Sequence, residues 1–138
     1  VKAAKYHLTD TGMATALLGL DGDGVRNNPQ LAVHLLESFV AAELMKQASW
    51  MDAPPRLHHF RERGGGAEVD LVLERADGQI IGIEVKLAST VTSRDMRGLR
   101  DVAGDRYIGG LLLAAVPSAY VSDDDIVVTP LSALWANS

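Results

Sequence analysis

The chain has 138 residues, of which 47% are hydrophobic, and this suits one domain with a single packed core. Its net charge of −5 counts against a domain built for tight non-specific DNA binding, which is usually basic. Cysteine is absent, which excludes disulfides and thiolate metal sites. Because no apolar run approaches 18 residues, we expect neither a membrane-spanning nor a secreted protein, but a cytoplasmic one.

Residues 1–28 predict small elements that pack on a larger core. A short strand is predicted over residues 5–8. Thr9 or Asp10 can then cap a helix over residues 13–18. The Gly- and Asp-rich stretch that follows predicts a loop, and it lacks the later ligands of a calcium loop.

Residues 29–138 predict one α/β domain, and Val1 at the start leads us to expect a part of a longer protein. Apolar residues three and four apart predict helices, and short apolar runs between Gly- and Pro-rich turns predict strands. The predicted elements are a helix over 30–50, strands over 56–63, 68–75 and 79–88, a helix from Thr92 or Ser93 to Val102, strands over 111–116 and 126–128, and a short terminal helix over 130–135. This order of a helix, three strands, a helix and two further strands predicts an α/β sandwich with a mixed central sheet flanked by helices.

The second and third predicted strands carry acidic residues at matching positions. Side chains alternate between the two faces of a strand, so the register decides whether these acids meet. A three-residue turn with Gly78 in the left-handed conformation matches the apolar faces of the two strands. That register pairs Leu73 with Ile81, Leu71 with Ile83, Val69 with Val85, Asp70 with Glu84, and Glu68 with Lys86.

Facing carboxylates on Asp70 and Glu84 repel unless a cation lies between them, which predicts a divalent-cation site. Mg²⁺ or Mn²⁺ suits oxygen ligands, and two carboxylates suffice for a site that also accepts a phosphate oxygen. Lys86 would orient or deprotonate the attacking water or stabilise negative charge. Glu37, with apolar helix neighbours, is expected to support the metal or the water. The sequence does not decide which of Glu37 and Glu43 approaches the site. The alternative for the hairpin alone is ordinary solvated side chains.

Four arginines are candidates for phosphate contacts. Arg94 and Arg97 lie on one side of the second predicted helix, where the alternative is a solvated face. Arg61 and Arg63 lead into a glycine-rich segment that would approach a nucleic-acid backbone, and the alternative there is a flexible turn.

The order of these motifs resembles the PD-(D/E)xK (restriction-endonuclease-like) nuclease superfamily. A helix with Glu37 precedes Asp70, and Glu84 to Lys86 form the ExK element, although no proline precedes Asp70. More narrowly, the chain is similar to the domain found C-terminal to many bacterial and archaeal predicted AAA-type ATPases, in residues 5–14, 35–44, 61–70, 83–86 and 130–135. The resemblance implies an αβββαβ core that binds Mg²⁺ through Asp70, Glu84 and Glu37.

Two hypotheses about function follow from this resemblance. The first is a Mg²⁺-dependent endonuclease-type hydrolase acting on DNA as an appendage of the ATPase. The alternative, which the acidic pI favours, is a catalytically silent module for oligomerisation or partner docking of the ATPase. A homodimer is compatible with both. The chain has no GxxxxGK[ST] motif, so ATP binding by this part is not expected.

Overall fold

The computed structural model of the protein describes residues 5–62, 66–102, 104–122 and 125–136. The elements in chain order are α1 (Thr11–Leu17), α2 (Gly22–Arg26), α3 (Pro29–Ala48), β1 (Arg56–Arg61), β2 (Glu68–Glu74), β3 (Ile80–Val85), α4 (Arg97–Asp101), β4 (Tyr107–Ala114), β5 (Tyr120–Val121), β6 (Ile126–Pro130) and a 3-10 helix (Leu131–Leu134). The predicted α/β class is confirmed. Within the described ranges, no helix is both long enough and apolar enough to cross a membrane.

One six-stranded sheet organises the molecule, in the order β1-β2-β3-β4-β6-β5. β1, β2 and β3 are antiparallel neighbours, whereas β3, β4 and β6 run parallel and β5 returns antiparallel at the edge. Parallel neighbours need a crossover connection, and α4 lies in the one that joins β3 to β4. The sheet is therefore mixed, as the sequence predicted.

Each face of the sheet is covered by one helix. The core on the α3 side is formed by Val40, Ala41, Leu71, Ile83, Val85 and Leu113. The core on the α4 side is formed by Val69, Val72, Met96, Leu99, Leu112, Ala114, Val116, Ile126 and Val128. Because the sheet is buried on both faces, β4 and β6 are apolar without strict alternation.

The N-terminal elements differ in part from the prediction. Asp10 caps α1 by accepting a hydrogen bond from the Met13 backbone N–H at 2.8 Å, as expected. The strand predicted over residues 5–8 is wrong: this described segment joins no sheet ladder and instead lies against α3. The predicted loop after Gly19 is also wrong in part, since Asp21 caps the short helix α2.

The second half of the chain also corrects two predictions. The helix predicted from Thr92 begins only at Arg97, because the Asp95 carboxylate accepts bonds from both Thr92 donors and closes a turn first. β4 begins at Tyr107, four residues before the predicted start, because its two glycines weaken the strand signal in the sequence. The two-residue strand β5 was not predicted.

The hairpin of β2 and β3 has the predicted turn. Gly78 adopts φ +82° and donates its N–H to the Arg75 carbonyl at 3.0 Å. The pairs Leu73–Ile81 and Leu71–Ile83 follow in the predicted register.

For the residues of β2 that precede Leu71, the predicted side-chain faces are wrong. On the β1 side, His58 pairs with Val72 but Phe60 pairs with Val69, so β2 has one extra residue between them. Such a bulge reverses the alternation, so the side chains on its far side point to the opposite face of the sheet. Val69 therefore packs on the α4 side, away from Leu71.

We expect Gly78→Ala to lower the free energy of unfolding by about 1 kcal/mol, because a side chain at positive φ is strained. Urea denaturation measures the change. Gly109→Ala is the control, since Gly109 has no positive φ and a Cβ there meets no atom within 4 Å. An equal loss of stability in both variants would show that the turn conformation is not the cause.

Candidate functional site

Asp70 lies at the bulge of β2 and is 8% exposed. One carboxylate oxygen, Oδ2, accepts a hydrogen bond from the Val85 backbone N–H at 3.1 Å. The other, Oδ1, accepts one from Lys5 Nζ at 3.0 Å. The Val85 N–H therefore fixes the Asp70 carboxylate against β3.

Glu84 on β3 is half-buried and hydrogen-bonded to the Asp70 carboxylate. The two acids meet, as predicted, although the strand ladder ends before them. Burial, and then the negative charge of Asp70, raise the pKa of Glu84 from 4.5 to about 9, and the Lys5 ammonium only partly opposes this. At neutral pH Glu84 is therefore protonated in the metal-free protein.

Glu37 on α3 points to the same place from the other side. Its Oε2 lies 3.0 Å from Lys5 Nζ, which also contacts Asp70 at 3.0 Å. Burial lowers the pKa of Lys5, but Asp70 and Glu37 outweigh it and raise that pKa overall. The cation that lies between Asp70 and Glu37 is therefore the Lys5 ammonium.

Lys5 was not among the predicted site residues. The available signal was charge balance, because no basic residue was predicted to lie between the converging acids Asp70 and Glu37. Its position 65 residues before Asp70 gave no local indication of the contact.

The structure distinguishes the two acids of α3. Glu43 accepts a hydrogen bond from Lys46 at 2.5 Å and another from the Trp135 indole at 3.1 Å. It is therefore engaged with the C-terminal 3-10 helix region, and Glu37 is the helix acid that reaches Asp70 through Lys5.

Lys86 forms an ion pair with Asp95 rather than with the predicted partner Glu68. Glu68 instead holds Arg61, whose Nη2 lies 2.7 Å from both carboxylate oxygens. Burial raises the pKa of Asp95, but hydrogen bonds from Lys86 and Thr92 outweigh it and lower that pKa overall.

A cleft of about 610 Å³ opens beside Glu84 and Lys86, between the sheet and the segment that contains α4. Its charged lining comprises Glu62, Glu68, Glu84, Lys86, Arg94, Asp95, Arg97 and Asp101. The predicted phosphate contacts Arg94 and Arg97 therefore share a cleft with Glu84, but the five acids of the lining outnumber its three bases.

A second cavity of about 600 Å³ lies on the α3 side of the sheet. Its polar lining includes Lys5, His7, His34, Glu37, His59, Arg61 and Asp70. Arg61, a third predicted phosphate contact, is thus separated from Arg94 and Arg97, with Glu68 lining both cavities. The fourth candidate, Arg63, lies outside the described residues.

The carboxyl groups fit a two-ligand metal site better than a three-ligand one. Within the part of the chain that the structure describes, no three His, Asp or Glu side chains come close enough to hold one ion. Asp70, Glu84 and Glu37 therefore form no joint ligand set, because the Lys5 ammonium lies between Asp70 and Glu37. Adjacent carboxyl oxygens of Asp70 and Glu84 still suit Mg²⁺, which commonly keeps several waters.

Close packing of α4 supports this arrangement. A Cβ on Gly98 would lie 2.0 Å from the Glu68 carbonyl oxygen and 3.2 Å from Glu84 Oε1. A Cβ on Gly82 would lie 2.8 Å from Leu99 Cδ2. Both glycines let the helix approach the sheet where the two acids meet.

The family model for a domain of unknown function, DUF4143, matches residues 33–134 of the chain. The chain belongs to the DUF4143 family. Comparison with curated proteins and with solved structures gave no match.

The DUF4143 match runs from α3 to the last residue of the 3-10 helix. It includes Glu37, Asp70, Glu84 and Lys86, so all four predicted catalytic residues lie within the matched region. Lys5, which contacts two of them, lies before it.

Proposed function

We propose that this DUF4143 chain is a Mg²⁺- or Mn²⁺-dependent phosphodiesterase of the nuclease type that acts on DNA as part of an AAA-type ATPase. The observation that carries the proposal is the contact between the Asp70 and Glu84 carboxyl groups beside a cleft that also holds Lys86. Carboxylate oxygens can hold the divalent ion for metal-assisted phosphodiester hydrolysis, and a lysine beside them can stabilise developing negative charge. The common occurrence of DUF4143 with AAA ATPases supports the partner.

A divalent ion at Asp70 and Glu84 would supply Lewis-acid activation of the phosphate. The protein's own contribution starts with Val85, whose N–H holds the Asp70 carboxylate in position. Lys86, once released from Asp95, stabilises negative charge or accepts a proton from the attacking water. Arg94 and Arg97 in the same cleft orient the phosphate.

A second candidate is the catalytically silent docking module, and specific contacts favour it. Lys5 already neutralises Asp70 and Glu37, and Asp95 engages Lys86. In addition, α1 and its C-cap expose the apolar side chains of Met13, Leu17 and Leu18, of which Leu17 is 82% exposed. Such side chains suit a protein interface with the ATPase or with a second copy.

Calorimetric titration with Mn²⁺, with and without a short DNA duplex, separates the two candidates. We expect saturable binding by the wild type and affinity at least about tenfold lower in Asp70→Asn and in Glu84→Gln, since each variant loses a carboxyl group that can ionise and bind the metal. Glu43→Gln is the matched control, because Glu43 is engaged outside the site.

Cleavage of labelled branched, single-stranded and duplex DNA by the full ATPase-containing protein then tests the activity. Cleavage that requires the metal and is lost in Asp70→Asn supports the nuclease. If the wild type binds no Mn²⁺ at millimolar concentration even with DNA present, the nuclease proposal fails and the docking module takes its place.

A further inference from the structure

Lys5 fills the position between two buried acids of the proposed site. Its Nζ lies 3.0 Å from Asp70 Oδ1 and 3.0 Å from Glu37 Oε2, and its side chain is only 22% exposed. The same segment contacts α3 again through His7, whose Nδ1 lies 3.5 Å from Ser38 Oγ. Residues 5–8 are therefore docked on the site by their side chains and not by a strand ladder.

This contact conflicts with a divalent cation at Asp70. The Lys5 ammonium uses Oδ1, and the Val85 N–H already uses Oδ2. A divalent ion on this carboxylate would lie within a few ångströms of the ammonium, and like charges at that separation repel more strongly at a partly buried site than in bulk water. One of the two cations must leave.

We propose that Lys5 is a further residue of this site, an internal cation that competes with the divalent ion for the Asp70 carboxylate. Metal binding and the docked position of residues 5–8 are then mutually exclusive. The N-terminal segment sets the metal affinity of the site and is released when metal binds. This inference rests on the metal site of the proposed function.

Mn²⁺ titration of Lys5→Met tests the competition, because methionine removes the charge and keeps a similar length. We expect the affinity of this variant to be at least about tenfold higher than that of the wild type. Lys46→Met is the matched control, since it also removes a lysine paired with a glutamate but lines neither cavity of the site. Adding Asp70→Asn to Lys5→Met is expected to abolish the gain.

A second measurement uses the wild type and needs no folded Lys5 variant. Lysine amines are acetylated under limiting reagent with and without saturating Mg²⁺, and each site is quantified by mass spectrometry with Lys46 as internal reference. The Lys5 amine is expected to react several-fold faster when Mg²⁺ is present, because it has left the carboxylates. In Asp70→Asn protein, Mg²⁺ is expected to have no such effect.

The outcomes separate this inference from the proposed function. Equal Mn²⁺ affinity in wild type and Lys5→Met, together with loss of binding in Asp70→Asn, would leave the metal site standing and overturn the role of Lys5. Weaker binding by Lys5→Met, or Lys5 labelling that Mg²⁺ leaves unchanged, would also overturn it. Absence of binding in both proteins would overturn the metal site itself, and the competition with it.

Discussion

The metal-free protein is expected to lose stability as the pH rises from about 5 to about 9, by up to about 1.4 kcal/mol per pH unit. Burial and the neighbouring Asp70 raise the pKa of Glu84 from 4.5 to about 9 in the folded state. Between these two values the folded protein binds more protons than the unfolded chain does. The stability that Glu84 contributes is therefore greatest at and below the lower value, and it falls until the higher one is reached.

Urea denaturation in EDTA at a series of pH values measures this slope. Glu84→Gln is expected to flatten it, because the glutamine carries no charge to bury beside Asp70. Glu43→Gln makes the same charge change outside the site and is expected to keep the slope. A Glu84→Gln protein with the full wild-type slope would rule out Glu84 as the titrating group.

The same pH series, repeated with saturating Mg²⁺ in place of EDTA, tests the proposed metal site. A cation bound by Asp70 and Glu84 favours the ionised carboxylates, so the slope is expected to diminish if the proposed metal site exists. A slope that Mg²⁺ does not change would count against that site.

Gly98→Ala is expected to destabilise the protein by at least about 2 kcal/mol, although alanine normally strengthens a helix by about 1 kcal/mol relative to glycine. The reversal follows from packing. A Cβ at Gly98 would lie 2.0 Å from the Glu68 carbonyl oxygen, which belongs to the backbone of β2 and cannot turn away as a side chain can. Either α4 or the start of β2 must shift.

Gly22→Ala in α2 is the control, because the nearest atom to its Cβ is the flexible Arg26 guanidinium at 3.6 Å. We expect this variant to be unchanged or slightly more stable by urea denaturation. If Gly98→Ala were as stable as Gly22→Ala, the close approach of α4 to β2 would be wrong, and so would the support it gives to Glu84.

Local pattern was enough for much of the fold. The apolar spacing in residues 30–48 predicted α3, and the Gly78 turn set the register of Leu71 against Ile83. The same register brought Asp70 and Glu84 together, and the two do form a hydrogen-bonded pair. These features depend on residues within about 20 positions of one another, so periodicity and turn chemistry suffice to find them. The metal ion and the nuclease activity stay predictions.

Tertiary structure alone decided the details of the site. The bulge in β2 moved Val69 to the α4 side, and a regular alternation of side chains could not foresee it. Lys5 reached Asp70 across 65 residues, and Lys86 turned to Asp95 in place of Glu68. Each of these contacts forms because separate elements pack side by side in the folded chain. The sequence determined which charges are present, and only packing decided which of them neutralise one another.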